Sequence, residues 1–176
     1  MRAVQIEIRR LNAVDAGAHL SDLARVLVDC VEGGASVSFM RPFGQSDAEA
    51  FFRKVITGVE AGERILLAAF VDSKLVGTVQ LLTAMPPNQP HRAEIAKMLV
   101  LRSARGRGIG EALMRSAEEC ALEAGKTLLV LDTVQGGAAE RLYARLGWTK
   151  AGVIPKYALM PDGSWCDTVI FWKSIG

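Results

Sequence analysis

The stretch Arg105-Gly106-Arg107-Gly108-Ile109-Gly110 concentrates the chemistry this sequence can offer. Alternate glycines let the backbone turn closely. The amphipathic run behind them is a helix whose first N–H groups lack partners and whose end carries about half a positive charge. That combination suits a pyrophosphate, and the two arginines strengthen it. A P-loop is excluded because no Gly-Lys-Ser/Thr follows at the required spacing, and a dinucleotide fingerprint because Glu111 stands where its third glycine belongs. The same residues also fit a solvated basic turn capping a helix. Other reactive types are sparse. Cys30, Cys120 and Cys166 are odd in number and lack CxxC spacing, and with just His19 and His91 beside them neither a metal site nor a disulfide framework is expected. Chemistry is left to carboxylates, hydroxyls, lysines and backbone dipoles.

The elements that must position this turn follow from periodicity. Val4, Ile6 and Ile8 alternate with polar residues as in a half-buried strand. Leu20, Leu23, Ala24, Leu27 and Val31 mark a helix from about 15 to 31, ended by Gly33-Gly34, and residues 33–44 fit no regular pattern. Ser46 or Asp47 caps a second helix to about 61. Two apolar strands, 65–71 and 75–82, are joined by a tight turn, and after the prolines of 85–90 a third strand covers 92–101. Their short connections imply adjacent antiparallel strands. A helix over 109–124 shows the clearest stripe, through Ile109, Leu113, Ala117 and Cys120. It crosses over to a short strand at 128–131, which is therefore parallel to its predecessor. A short helix carrying Leu142, Tyr143 and Leu146 stops at Gly147, and two strands flank the turn Pro161-Asp162-Gly163.

Composition narrows the classes. The chain has 176 residues, 50% hydrophobic and 23% charged, as expected of one globular domain spanning 1–176. A net charge of +2 is too small for a surface that grips nucleic acid through its phosphates. The longest apolar run, Ile65 to Val71, falls far short of the ~20 residues that cross a bilayer. Neither nucleic acid nor membrane is expected as a partner, and the unpaired thiols suit a cytoplasmic address. A homodimer is the commonest prior for a soluble oligomer, although nothing in the sequence specifies it.

Met98-Leu99-Val100-Leu101, the glycine turn, the long helix, a short strand and a tyrosine-bearing helix together resemble the GNAT family of acetyl-CoA-dependent N-acetyltransferases, over nearly the whole chain. Arg105, Gly108 and Gly110 match the family motif R/Q-x-x-G-x-G/A. The resemblance implies an α/β (α+β) fold: a mostly antiparallel mixed sheet of about seven strands, splayed between the fourth and fifth, with about four helices. Within the family, residues 33–40, 92–94, 103–110, 131–133 and 139–143 look most like the tabtoxin-resistance branch, with Ser38 where a glycine is expected.

That resemblance implies roles. Backbone groups of Met98, Leu99 and Val100 would pair with the pantetheine arm, and Arg105, Gly106, Arg107, Gly108, Ile109 and Gly110 would hold the pyrophosphate. An N–H such as that of Leu99 would serve the oxyanion, and Tyr143 would meet the thioester sulfur as acid. Glu94 and, slightly behind it, Asp132 are candidates to take the amine's proton, directly or through water, while Ser36, Phe39 and Met40 would wall the acceptor site. Blander readings stand beside these: Tyr143 as a core tyrosine, Asp132 as a turn cap, the loop residues as packing. Glu118, Glu119 and Glu123 read as solvated, Lys97 as an edge or solvent-facing strand lysine, and Tyr157 has no role. Cys120 lies on a packed stripe, so direct transfer in a ternary complex is expected in place of a cysteine intermediate. The implied acceptor is a small amine, an amino-acid-like toxin or antibiotic. The alternatives are a protein or peptide amine, or an acyl-CoA-binding module without turnover.

Overall fold

The computed structural model describes residues 5–176, so the alternation at Val4 lies outside the described residues. The elements run β1 (Ile6–Leu11), α1 (Ala13–Ala18), α2 (Leu20–Glu32), α3 (Gln45–Glu60), β2 (Arg64–Val71), β3 (Lys74–Leu82), β4 (Arg92–Val100), α4 (Ile109–Glu123), β5 (Leu128–Val134), α5 (Ala138–Arg145), β6 (Thr149–Leu159) and β7 (Trp165–Ser174). One seven-stranded sheet has the order β1-β2-β3-β4-β5-β7-β6, antiparallel except for β4 against β5. β2 is apolar along its length because α3 and α4 both pack on it, whereas β6 at the far edge is largely exposed. Among the described residues no helix is long and apolar enough to cross a membrane.

Several boundaries move for physical reasons. The first helical region is two helices. Asn12 caps α1 by accepting from the Asp15 N–H at 2.8 Å, and the chain breaks at His19 before α2 begins. This makes five α-helices in place of about four. α3 starts at Gln45, with Asp47 accepting from the Gly44 N–H at 2.9 Å, so Asp47 reaches back to the cap and is not itself the cap. β5 runs three residues past Leu131 because its other edge pairs with β7 as far as Val134.

The feature that opens the sheet is the shortness of one pairing. β4 and β5 are in register only at Arg92–Leu128, Ala93–Leu129 and Glu94–Val130, and beyond those rungs they part. β4 is also bulged there. Gln80 of β3 opposes Ala96 and Thr78 opposes Leu99, so Val79 faces the two residues Lys97 and Met98, and Lys97 takes φ +50°. An extra residue reverses the alternation. Glu94 and Ala96 therefore share a face with Leu99, while Ile95 shares one with Met98 and Val100. Unbroken alternation along β4 would instead group Glu94 with Met98 and Val100.

Candidate active site

The gap between β4 and β5 opens into a cleft of about 850 Å³, walled also by residues 33–40, the start of α4, α5 and the 157–160 part of β6. At one end is the glycine turn. Gly106 and Gly108 have φ +75° and +81°, conformations costly for any residue with a Cβ. Gly110 is needed for a different reason: a Cβ there would stand 3.1 Å from Leu142 of α5 and 3.6 Å from Met98 of β4. Two glycines thus shape the turn and one lets α4 approach its neighbours. Gly108 caps α4 with no side-chain bond, leaving the first-turn N–H groups available, and Glu111 is drawn aside by Arg115 at 2.8 Å. The Arg105 side chain is tied inward, donating to the Val100 carbonyl at 3.1 Å and lying 3.7 Å from Cys30 Sγ. It anchors the turn to β4, and Arg107 is exposed and does not border the cleft.

At the splay, the cleft-side edge of β4 past Glu94 has no strand beside it, and Met98, Leu99 and Val100 all border the space. Tyr143 enters from α5. Its ring packs against Trp148 and Phe171 at centroid distances of 6.1 and 6.0 Å, and it is 5% exposed. Burial, and secondarily the Asp132 carboxylate, push its phenol well above the ordinary range, so it stays protonated. Glu118 supports this arrangement by accepting from Trp148 Nε1 at 3.1 Å and from Lys173 Nζ at 2.8 Å. It therefore ties α4 to the α5–β6 turn and to β7, and is not a solvated surface residue.

The two candidate carboxylates separate. Asp132 borders the cleft near Tyr143 and Lys97. Glu94 sits at the last rung of the β4–β5 pairing, bound to Arg92 Nη1 at 2.6 Å, and does not border it. Unbroken alternation along β4 would have aimed Glu94 into the cleft with Met98 and Val100 and so favoured it over Asp132; the bulge removes that ground. Ser36, Phe39 and Met40 line the opposite wall, where Ser36 Oγ donates to the Leu159 carbonyl at 2.8 Å and the Arg41 N–H to that of Pro161 at 3.0 Å.

The sequence reading missed three lining residues. Lys97 lies on the open edge of β4, is half-buried and donates to Ser38 Oγ at 3.1 Å, so of the two readings it is the edge lysine and not the solvent-facing one. Tyr157 is brought to the cleft by an irregularity in β6 between Ile154 and Ala158, and the Thr168 residue of β7 borders the same end. Strand alternation alone signals none of these, since each depends on a bulge or on a partner distant in sequence. Cys30 and Cys120 are held in the thiol form chiefly by burial.

A sheet splayed between two parallel strands, with an uncapped helix N-terminus at its mouth, offers an open strand edge for ladder bonds and an anion site beside it. The sequence profile of the acetyltransferase (GNAT) family matches residues 34–148, and the chain belongs to that family. Its donor is acetyl-CoA, and the open β4 edge, the left-handed glycines and the α4 N-terminus fit that substrate. Solved structures agree in fold. One is an acetyltransferase of Salmonella typhimurium with its cofactor acetyl-CoA, with 18% identity, a TM-score of 0.79, and 97% of this chain and 94% of that one covered. A ribosomal-protein-alanine N-acetyltransferase from Brucella melitensis has 23% identity and a TM-score of 0.76, covering 96% of this chain and 99% of that one. A third, described as a phosphinothricin N-acetyltransferase, has 18% identity and a TM-score of 0.78, covering 98% and 99%. The latter two are named for acceptors as different as a ribosomal protein and phosphinothricin, so likeness of fold does not select between them.

Proposed function

We propose that this N-acetyltransferase acts on a small amine, an amino-acid-like toxin or antibiotic of the kind met by the tabtoxin-resistance branch, by direct transfer in a ternary complex. The observation that carries the acceptor class is the strapping of the 33–44 loop onto the end of β6 and the turn after it through Ser36–Leu159 and Arg41–Pro161, which puts a wall on the acceptor side where a peptide would need a groove. In this reading the β4 edge holds the pantetheine arm by ladder bonds, and the α4 N-terminus holds the pyrophosphate. Asp132 accepts the ammonium proton through water, since an ordinary carboxylate is a weak base toward an amine. The neutral amine attacks the thioester carbonyl, whose oxyanion is met by a β4 N–H such as that of Leu99. The C–S bond then breaks as the attacking nitrogen loses its second proton to solvent water, giving the amide and the CoA thiolate. A Tyr143 phenol pushed up by burial holds its proton more tightly than a thiol of ordinary pKa ~8.5, so it acts by hydrogen-bonding the departing sulfur and not by giving its proton away completely. In this reading the address is the cytoplasm, which three free thiols support. The test is release of free CoA thiol from acetyl-CoA across a panel of amino acids, amino-acid-like antibiotics and peptides. Turnover of small amines is expected, and turnover confined to peptides would reject the reading.

A further inference from the structure

Five residues other than glycine take a positive φ among the described residues: Asp72 and Ser73, Ser38, Lys97 and Lys156. The first two form the β2–β3 turn, where a two-residue hairpin demands it. The remaining three cluster at the acceptor end of the cleft. Ser38 and Lys97 border it, and Lys156 precedes Tyr157, which also borders it. Such backbone is costly for a residue with a Cβ and persists where its surroundings hold it, most often at functional sites. Ser38 and Lys97 hold each other, through Nζ to Oγ at 3.1 Å. A glycine at position 38 would adopt φ +80° more easily, but it would lack the hydroxyl that accepts from the lysine.

One hydrogen bond leaves two ammonium hydrogens of Lys97 unengaged. Among the described residues no carboxylate lies within ion-pair distance of it. Burial and the Arg64 guanidinium disfavour its charge, and only the more distant Asp132 supports it. A half-buried cation in a cleft wall, fixed in direction and short of an anion, is complementary to an oxyanion on a ligand. Asp132, which borders the same end, offers the opposite charge without closing onto the lysine. An amine that also carries an acidic group would meet both.

We propose that Lys97, oriented by Ser38, is the residue that selects the acceptor, taking a carboxylate or similar oxyanion of a substrate whose amino end lies toward Asp132. This rests on the small-amine reading above and narrows it to zwitterionic acceptors.

The experiment compares L-amino acids with their carboxamides, which keep the amine and lose the anion, in wild type and in Lys97→Met, with Lys97→Gln measured alongside and CoA affinity as the control for folding. Wild type is expected to favour the acid. In both variants the ratio of acid to amide kcat/KM should fall roughly 10–100-fold, mainly through KM for the acid, the factor expected on losing a charge-assisted hydrogen bond. A wild type with no preference for the acid, or variants that slow acid and amide alike, would overturn the assignment. If no amine in the panel is acetylated, the small-amine reading falls, and Lys97 is judged by binding to the CoA-saturated protein. Butyrate, and not butyramide, should raise the Tm of wild type, and the rise should vanish in both variants. Failure of that difference overturns the role of Lys97 separately.

Discussion

Gly108 and Gly125 make a matched pair that separates the cost of a left-handed residue from the cost of losing a phosphate site. Gly108, at φ +81°, caps the start of α4, and Gly125, at φ +73°, follows its end, with its N–H bonded to the Leu122 carbonyl at 2.9 Å. A Cβ at either position would meet nothing within 4 Å. Alanine therefore costs only the conformational penalty, about 1–2 kcal/mol. For a domain of this size that lowers Tm by about 2–8 °C. Both Gly108→Ala and Gly125→Ala should show this drop by differential scanning fluorimetry. Of the two, only Gly108 borders the cleft, and its new methyl would stand beside the first-turn N–H groups proposed to hold the pyrophosphate. Loss of one charge-assisted hydrogen bond should then weaken CoA binding roughly 10–100-fold by titration calorimetry, with pantetheine, which lacks the pyrophosphate, bound equally by all three proteins. Equal loss of CoA affinity in the two variants, or a Gly108→Ala protein within about twofold of wild type, would refute a phosphate site at this helix end.

Replacing Tyr143 by phenylalanine keeps the ring between Trp148 and Phe171 and removes the donor, so kcat should fall on the order of 10²-fold with acetyl-CoA affinity little changed; full turnover at saturating substrates would remove its role. The same phenol gives a pH signature. It is held neutral in the fold, whereas an unfolded tyrosine ionises near pH ~10, so its contribution is complete below that pH and is lost as pH rises above it. Urea unfolding at about pH 9 and 11 should show a smaller alkaline loss in Tyr143→Phe. Asp132→Asn should lower kcat on the order of 10²-fold at neutral pH, whereas Glu94→Gln, which alters a partly exposed pair with Arg92, should cost less than about threefold; the reverse order would return the proton acceptor to Glu94.

What the sequence carries and what it hides differ in kind. Helical stripes and apolar runs report local burial, and they place β2, β3, α4 and α5 well because one element's own residues decide which face is inside. The glycine turn is legible for the same reason: a left-handed backbone and a helix start are written in six consecutive residues. The break between α1 and α2 at His19 is not, because the stripe continues across it. Nor is the extension of β5 to Val134, which depends on β7, some 35 residues away in sequence. Glu118 shows the limit on the surface side, where position on a helix wheel implies solvent but Lys173 and Trp148 arrive from elsewhere to cover it.

The bulge in β4 is the point at which this limit reaches the chemistry. Period-two alternation assigns Glu94 and Met98 to one face only if every residue of β4 opposes one of β3, and no residue type at Lys97 announces that it does not. Once Val79 faces two residues, the strand's second half turns over, Met98 moves toward α4, and Lys97 is left in a backbone conformation from which it reaches Ser38. The same local insertion lies where β4 leaves β5, so the irregularity that defeats the pattern also contributes to the cleft. Residues that recognise an acceptor must point into a space that regular pairing would fill. They are therefore found where pairing fails, and a periodicity argument is least informative at those positions.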